Sequence, residues 1–206
     1  MSNQEKNKSA IVSPRGEKRS LVVLGGGESG VGAAILGKQK GFEVFVSDKG
    51  CIAKRYKEVL LQNNINFEEE KHTESKILRG HVIVKSPGIP DSIPLVLKLK
   101  ENGIPVISEI EFAAKHTTAT LVGITGSNGK TTTALLTQFI LKNAELNSGI
   151  AGNIGDSFAL QVATQSYENY VLELSSFQLD GIVDFNSHIA ILTNITPDHL
   201  DRYEDD

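Results

Sequence analysis

Short apolar runs alternate with longer mixed segments along most of this chain. Residues 20–24, 43–47 and 120–124 are mainly aliphatic or β-branched, and a glycine-rich or polar turn follows them closely. Apolar runs of this length, bounded by turn residues, are typical of buried strands. Strands that alternate with helices predict parallel α/β sheets. Further strands are predicted at 81–85, 104–107, 170–174 and 188–195, and another begins at 148. Helices are predicted at 56–63, 92–101, 109–115, 134–141 and 156–164, and another ends near residue 40.

The first strand runs into a glycine-rich turn. Gly25, Gly27 and Gly30 have the spacing G-x-G-x-x-G, and Asp48 follows the next predicted strand. In a βαβ unit, such glycines admit a pyrophosphate and the acid contacts a ribose or base. The pattern favours a Rossmann-like nucleotide site over a turn that is merely tight.

A second loop lies between the strand at 120–124 and the helix that follows it. Its glycines allow backbone N–H groups to face inward, Lys130 can reach the outer phosphates, and the Thr131 hydroxyl can ligate magnesium. The loop departs from G-x-x-x-x-G-K-[ST], because Ile124 stands where the first glycine is expected and Gly123 lies one position earlier. We predict a nucleoside-triphosphate loop, the alternative being a glycine-rich turn with an incidental lysine.

Polar residues follow the strands of the second half. Glu173 is the best candidate magnesium ligand, unless backbone N–H groups satisfy its carboxylate. His199 is a weaker candidate, because magnesium prefers oxygen ligands. Asn153 could donate to a phosphate or occupy a left-handed turn. Ser175 and Gln178 fit substrate contacts and helix capping equally well.

Several other features are interpreted as structural. Ser86 and Gly88 flank a proline, and turn formation explains them sufficiently when they are taken alone. The acidic run 68–70 is interpreted as a solvated face. Ser108 and Glu111 have capping-box spacing, and the domain boundary is placed near Ser108.

Composition narrows the class of protein. The 206 residues carry a net charge of −4, which argues against a general nucleic-acid binder. Cys51 is the single cysteine, so an internal disulfide and a cysteine-based zinc cluster are excluded. No apolar run approaches the length of a membrane span, and we expect a cytoplasmic protein. Expected regions are a disordered leader at 1–19, a Rossmann-like domain at 20–108 and a truncated P-loop NTPase-type α/β domain at 109–206.

Several motifs together resemble the ATP-dependent Mur ligases of peptidoglycan synthesis. The similarity spans nearly everything after the leader, and the offset phosphate loop is also that family's version. The stretch 173–179 is the most discriminating, and it resembles the branch that adds D-glutamate. The motifs lie at 25–30, 86–89, 123–133, 152–155, 173–179 and 194–203.

The resemblance implies a role for each matching residue. ATP would be held by Gly126, Ser127, Asn128, Gly129, Lys130, Thr131 and Thr132. Mg²⁺ would be organised by Thr131, Glu173 and His199, and the catalytic residues would be Lys130, Glu173 and His199. The UDP-substrate would be contacted by Gly27, Glu28, Ser29, Gly30, Asp48, Ser86, Gly88, Asn153, Ser175 and Gln178.

The implied reaction joins D-glutamate to UDP-N-acetylmuramoyl-L-alanine through an acyl phosphate, with ATP and Mg²⁺ as cofactors. We expect a monomer with no nucleic-acid or membrane partner. The family's carbamylated lysine and C-terminal domain have no counterpart before residue 206, so we expect these residues to bind the UDP-substrate without ligating it. The alternatives are a sister Mur ligase, a folylpolyglutamate-synthase relative and a nucleotide-binding module without catalysis.

Overall fold

The computed structural model describes residues 19–196, so the predicted leader and His199 lie outside the described part. The strands are β1 (Ser20–Leu24), β2 (Glu43–Ser47), β3 (Asn66–Glu68), β4 (Val82–Lys85), β5 (Val106–Ile107), β6 (Thr120–Thr125), β7 (Ser148–Gly152), β8 (Asn169–Glu173) and β9 (Ile189–Leu192). The helices are α1 (Glu28–Gln39), α2 (Lys54–Gln62), α3 (Glu74–Ile77), α4 (Pro94–Glu101), α5 (Glu109–Ala114), α6 (Lys130–Asn143), α7 (Phe158–Thr164) and α8 (Ser176–Leu179).

The strands form two sheets in which every pairing is parallel. The first has the order β3-β2-β1-β4-β5 and the second the order β7-β8-β6-β9. The predicted α/β class, a Rossmann-like unit followed by a P-loop-type unit, is confirmed. Ligands of such sheets bind at the carboxyl ends of the strands, where neighbouring connections diverge. The glycine loop after β1 and the loop after β6 both lie at such ends.

Helix α1 is enclosed from both sides. All eight residues from Gly30 to Gly37 are buried, which is unusual for a helix that covers one face of one sheet. On one side α1 packs against the first sheet, and on the other it packs against α7. Gly32 allows the close approach, since a Cβ there would lie 2.1 Å from the Ser157 hydroxyl oxygen. One apolar core therefore runs from the first sheet into the second.

Helix α5 ties the two halves together through buried carboxylates. Glu109 accepts hydrogen bonds from the Ser157 hydroxyl and the Ala159 amide at the start of α7. Glu111 accepts from three consecutive backbone amides, those of residues 183–185, and from Lys115.

The capping box predicted at the start of α5 is incomplete. The Ser108 hydroxyl accepts a hydrogen bond from the Glu111 amide as predicted, but the Ser108 amide donates to the Gly181 carbonyl. The capping box is therefore only half formed. The boundary at Ser108 stays a prediction, since α5 contacts both α1 and α7.

Replacement of Glu109 by Gln should change how stability depends on pH. Burial raises the pKa of Glu109 to about 7 from an ordinary value of 4.5. A raised carboxyl pKa favours the folded state at low pH, and this contribution is lost as pH rises through the folded pKa. Wild type should therefore lose stability relative to Glu109→Gln between pH 5 and 8, by about 3 kcal/mol at most. Urea unfolding across this range measures the difference.

Glu111 supplies the opposite sign on the same helix. Burial alone would raise the pKa of Glu111, but the hydrogen bonds from Lys115 and residues 183–185 outweigh burial and lower it. Wild type should therefore be more stable than Glu111→Gln at neutral pH, an advantage that is lost only under acidic conditions. Parallel pH profiles for the two substitutions would contradict both assignments.

The structure corrects the prediction made for the acidic run 68–70. The interpretation as a solvated face is wrong for Glu68, which ends β3 and is only 6% exposed, whereas Glu70 is exposed. The Glu68 carboxylate accepts hydrogen bonds from Ser47 and from the amide and hydroxyl of Thr73. Glu69 accepts from the Ile52 amide and pairs with a lysine. The sequence hides this arrangement because β3 is three residues long and its donors come from other elements.

Candidate functional site

A cleft of about 870 Å³ lies at the carboxyl edge of the first sheet. Six of the residues that line it come from the motifs identified in the sequence, namely Gly25, Gly27, Asp48, Ser86, Gly88 and Ile89. The strand order places this cleft where the connections from β1 and β4 diverge. It is therefore the position at which a doubly wound sheet binds a nucleotide.

Backbone geometry explains why glycine and serine occupy this edge. Gly25 has a φ of 99°, and a Cβ there would lie 2.2 Å from the Ser86 hydroxyl oxygen. Asp48 then fixes the loop, since its two carboxylate oxygens accept hydrogen bonds from the Gly26 amide at 2.6 Å and the Gly50 amide at 2.8 Å. Asp48 thus has a structural role that the sequence did not indicate.

A smaller cleft of about 200 Å³ joins the two halves of the chain. Glu28 and Ser29 of the first glycine loop line it together with Asn153 and Gln178. Four predicted substrate contacts therefore meet here. Gly30 lies elsewhere: it is buried against the turn, and a Cβ there would lie 1.9 Å from the Gly25 carbonyl oxygen.

Ser175 and Gln178 form a complete capping box at the start of α8. The Ser175 hydroxyl accepts from the Gln178 amide, while the Ser175 amide donates to the Gln178 side-chain oxygen at 3.0 Å. The sequence allowed either helix capping or substrate contact for these two residues, and helix capping is confirmed. Gln178 also lines the smaller cleft, so substrate contact by this residue stays a prediction.

Glu173 lies at the end of β8, beside the loop that follows β6. Glu173 is only 1% exposed, and its Oε1 accepts a hydrogen bond from the Asn153 side chain at 2.8 Å. Its Oε2 is buried and has no hydrogen-bond partner among residues 19–196. Backbone N–H groups therefore do not satisfy this carboxylate. Asn153 has no positive φ, so the left-handed alternative for Asn153 is wrong.

The loop at 126–132 folds back on its own lysine. Gly129 adopts a left-handed conformation as the N-cap of α6 and makes no side-chain cap. The Lys130 ammonium donates to the carbonyl oxygens of Gly126 and Ser127, at 2.6 and 3.0 Å. Thr131 and Thr132 are exposed in the first turn of α6. Uncapped amides and a nearby ammonium form an arrangement suited to an anion.

The chain after β9 holds the loop at 126–132 in place. The amides of Ser127 and Asn128 donate to the carbonyl and side-chain oxygens of Asn194. The Ser127 hydroxyl donates to the Thr196 carbonyl. Sequence reasoning placed Asn194 in a motif without a role. The available signal was that Asn194 follows a predicted apolar strand, so it is expected at the same sheet edge as the loop after residues 120–124.

The residues fit a magnesium ion only in part. The unpartnered Glu173 oxygen is suited to a hard cation. Between residues 19 and 196, however, no three His, Cys, Asp or Glu side chains cluster as a metal site.

The same part of the chain contains no helix that could span a bilayer.

Two parallel sheets, each with a glycine loop at its carboxyl edge, are the arrangement of a nucleotide-binding α/β protein. Residues 18–93 match the MurD N-terminal domain and residues 124–205 match the Mur ligase middle domain. The chain belongs to the Mur ligase family, whose members use ATP.

Curated relatives narrow the likeness within this family. The UDP-N-acetylmuramoylalanine–D-glutamate ligase of Christiangramia forsetii is 60% identical over 90% of this chain and 42% of that protein. The ligase of the same name from Bacteroides thetaiotaomicron is 58% identical with the same coverage. The chain thus spans about two fifths of the length of these relatives.

Solved structures support the fold. The UDP-N-acetylmuramate:L-alanyl-gamma-D-glutamyl-meso-diaminopimelate ligase from Neisseria meningitides aligns with a TM-score of 0.60 and 22% identity, over 91% of this chain and 64% of that one. The UDP-N-acetylmuramate–alanine ligase MurC from Thermotoga maritima aligns with a TM-score of 0.58 and 19% identity, over 91% and 44%.

Proposed function

We propose that this chain supplies the UDP-substrate site and the ATP phosphate loop of a ligase that joins D-glutamate to UDP-N-acetylmuramoyl-L-alanine. The observation that carries the proposal is the smaller cleft, in which Glu28 and Ser29 of the first glycine loop lie with Asn153 and Gln178 of the second half. A substrate that extends from the larger cleft into the smaller one would present its far end to the ATP half.

Each region would hold one part of the substrates. The larger cleft would seat the nucleoside and diphosphate, with Gly27, Ser86 and Gly88 close to the phosphates. The smaller cleft would hold the muramoyl-alanine part. The Gln178 oxygen is already used by the cap of α8, so Gln178 would contact substrate through its Nε2 group. Asn153, which donates to Glu173, would link the substrate to the acid.

The reaction would proceed in two transfers. A carboxylate oxygen of the alanine would attack the γ-phosphorus of ATP, the bond to the β-phosphate oxygen would break, and ADP would leave. The D-glutamate amine would then attack the acyl carbon, lose a proton and displace phosphate as the amide forms. Lys130 would move from its loop carbonyls to the migrating phosphoryl group, where its charge is needed.

Positioning and charge neutralisation would supply most of the rate. Glu173 and Thr131, with His199 by resemblance, would hold Mg²⁺, which would add positive charge at the phosphates. The Glu173 Oε2, buried without a partner between residues 19 and 196, supports this assignment.

Calorimetric titration of the chain tests the proposal. We expect UDP-N-acetylmuramoyl-L-alanine to bind at least about tenfold more tightly than UDP-glucose, since only the former fills the smaller cleft, and NADH to bind not at all. Because the relatives are more than twice as long, D-glutamate-dependent ADP release is expected from a ligase of their full length and not from these residues alone. Tight NADH binding without UDP-substrate binding would contradict the proposal and favour a dehydrogenase-like or sensory module.

A further inference from the structure

Three side chains form a hydrogen-bonded relay between the ends of β3 and β2. The Ser47 hydroxyl oxygen lies 2.8 Å from the Glu68 Oε1 and 2.8 Å from the His72 Nδ1. Ser47 is fully buried and Glu68 is 6% exposed, so the relay is fixed by its surroundings. His72 is half-buried and forms part of the wall of the larger cleft.

The relay determines which nitrogen of His72 carries the proton. Burial alone would raise the pKa of Glu68, but hydrogen bonds from Thr73 and Ser47, with Lys76, outweigh it and lower the pKa. An ionised carboxylate only accepts hydrogen bonds, so Ser47 donates its single proton to Glu68 at 2.8 Å and not to the more distant Lys71 carbonyl at 3.4 Å. The Ser47 oxygen can then only accept from His72, which places the proton on Nδ1.

The other ring nitrogen, Nε2, is left with its lone pair. Between residues 19 and 196 the only hydrogen bond that His72 makes is the one at Nδ1. Burial lowers the pKa of His72, with Lys49 acting in the same direction and Asp48 and Glu68 opposing it. The imidazole is therefore neutral at pH 7, and a hydrogen-bond acceptor of fixed orientation lies in the cleft wall.

The position of His72 indicates what it meets. In doubly wound sheets the pyrophosphate lies at the first glycine loop, and the nucleoside extends towards the end of the second strand. His72 follows β3, on the far side of β2 from that loop. Asp48, the acid expected beside the nucleoside, already accepts two backbone hydrogen bonds. A nucleoside here would present N–H and O–H donors to His72.

We propose that the Nε2 of His72 accepts a hydrogen bond from the nucleoside of the UDP-substrate, either from the uracil N3–H or from a ribose hydroxyl, and that Ser47 and Glu68 are positioning residues for it. The inference rests on the proposed function, because it names a further contact within the same nucleotide cleft. His72 thereby becomes a residue that distinguishes nucleosides by the donors they carry.

The first test needs no substitution. Nitrogen-15 NMR of the histidine rings should show His72 protonated at Nδ1 and bare at Nε2 in the ligand-free chain, and UDP should shift the Nε2 resonance. A proton on Nε2 in the ligand-free chain would overturn the assignment. An Nε2 resonance that does not respond to saturating UDP would overturn the contact.

The second test compares affinities by calorimetry with UDP as the probe. His72→Leu should weaken UDP binding about tenfold, and His72→Gln, whose side-chain oxygen can accept, should weaken it less. His81→Leu is the matched control and should bind UDP as wild type does, since His81 lies at the opposite edge of the first sheet, bonded to Ser20. Thermal melting establishes that the variants are folded.

Three analogues, each of which lacks one donor, identify the group that donates. If the base donates, 3-methyl-UDP should lose about tenfold in wild type and little in His72→Leu; if the ribose donates, 2′- or 3′-deoxy-UDP should show this behaviour. Wild-type affinity for UDP in folded His72→Leu would overturn this inference alone. Failure of wild type to bind UDP at all would overturn the proposed function with it.

Discussion

Gly30→Ala should destabilise the chain by about 3 kcal/mol or more, because an added methyl group cannot be accommodated. A Cβ at Gly30 would lie 1.9 Å from the carbonyl oxygen of Gly25. The obstacle is backbone within a tight turn, so no side-chain rotation relieves it. The free energy of unfolding in urea measures the effect, and UDP affinity should fall with it as the glycine loop is displaced.

Gly27→Ala is the matched control, three residues earlier in the same loop. A Cβ at Gly27 would meet no atom within 4 Å, and its φ of −80° suits any residue. Its unfolding free energy should stay within about 0.5 kcal/mol of wild type. Equal losses from both substitutions would mean that the close approach at Gly30 is not what requires glycine.

Lys130→Ala should lower the affinity of the chain for ATP by about 10- to 100-fold, since a charged hydrogen-bonding partner of the phosphates is removed. Lys130 is partly exposed, and among residues 19–196 its ammonium donates hydrogen bonds only to carbonyl oxygens of its own loop. It is thus available to a phosphate without loss of a tertiary ion pair. Titration with ATP and magnesium gives the affinity directly.

Lys142→Ala, in the last turn of the same helix, removes one positive charge as Lys130→Ala does. It should leave ATP affinity unaltered. If both lysine variants lost affinity equally, general charge and not the phosphate loop would explain ATP binding. If neither did, the loop would not be the ATP site. In a full-length protein, Lys130→Ala should also reduce turnover.

The sequence was sufficient where one local pattern determines the structure. The strands at 20–24 and 43–47 were placed with their observed bounds, because apolar β-branched runs bounded by glycine have few alternatives. The glycine loop between β6 and α6 is predicted for the same reason, and the structure has a loop there. Helix α6 nevertheless begins at Lys130, earlier than the apolar pattern suggested, since the first turn of a phosphate-loop helix is polar.

The parts that could not be predicted depend on residues far apart in the chain. The sequence predicts a surface acid at Glu68, because its donors Ser47 and Thr73 give no local signal. The contact between Asn153 and Glu173 and the position of Glu109 under α7 likewise arise only when the strands are ordered. His72 had no partner at useful spacing, and only β2 and β3 side by side bring Ser47 to it.

The enclosure of α1 has a further consequence. This helix lies between the first sheet and α7 of the second half, so neither half can dissociate without exposing apolar surface that the other half also covers. Heat should therefore melt the two halves together in a single cooperative transition, although each half has its own sheet and its own glycine loop.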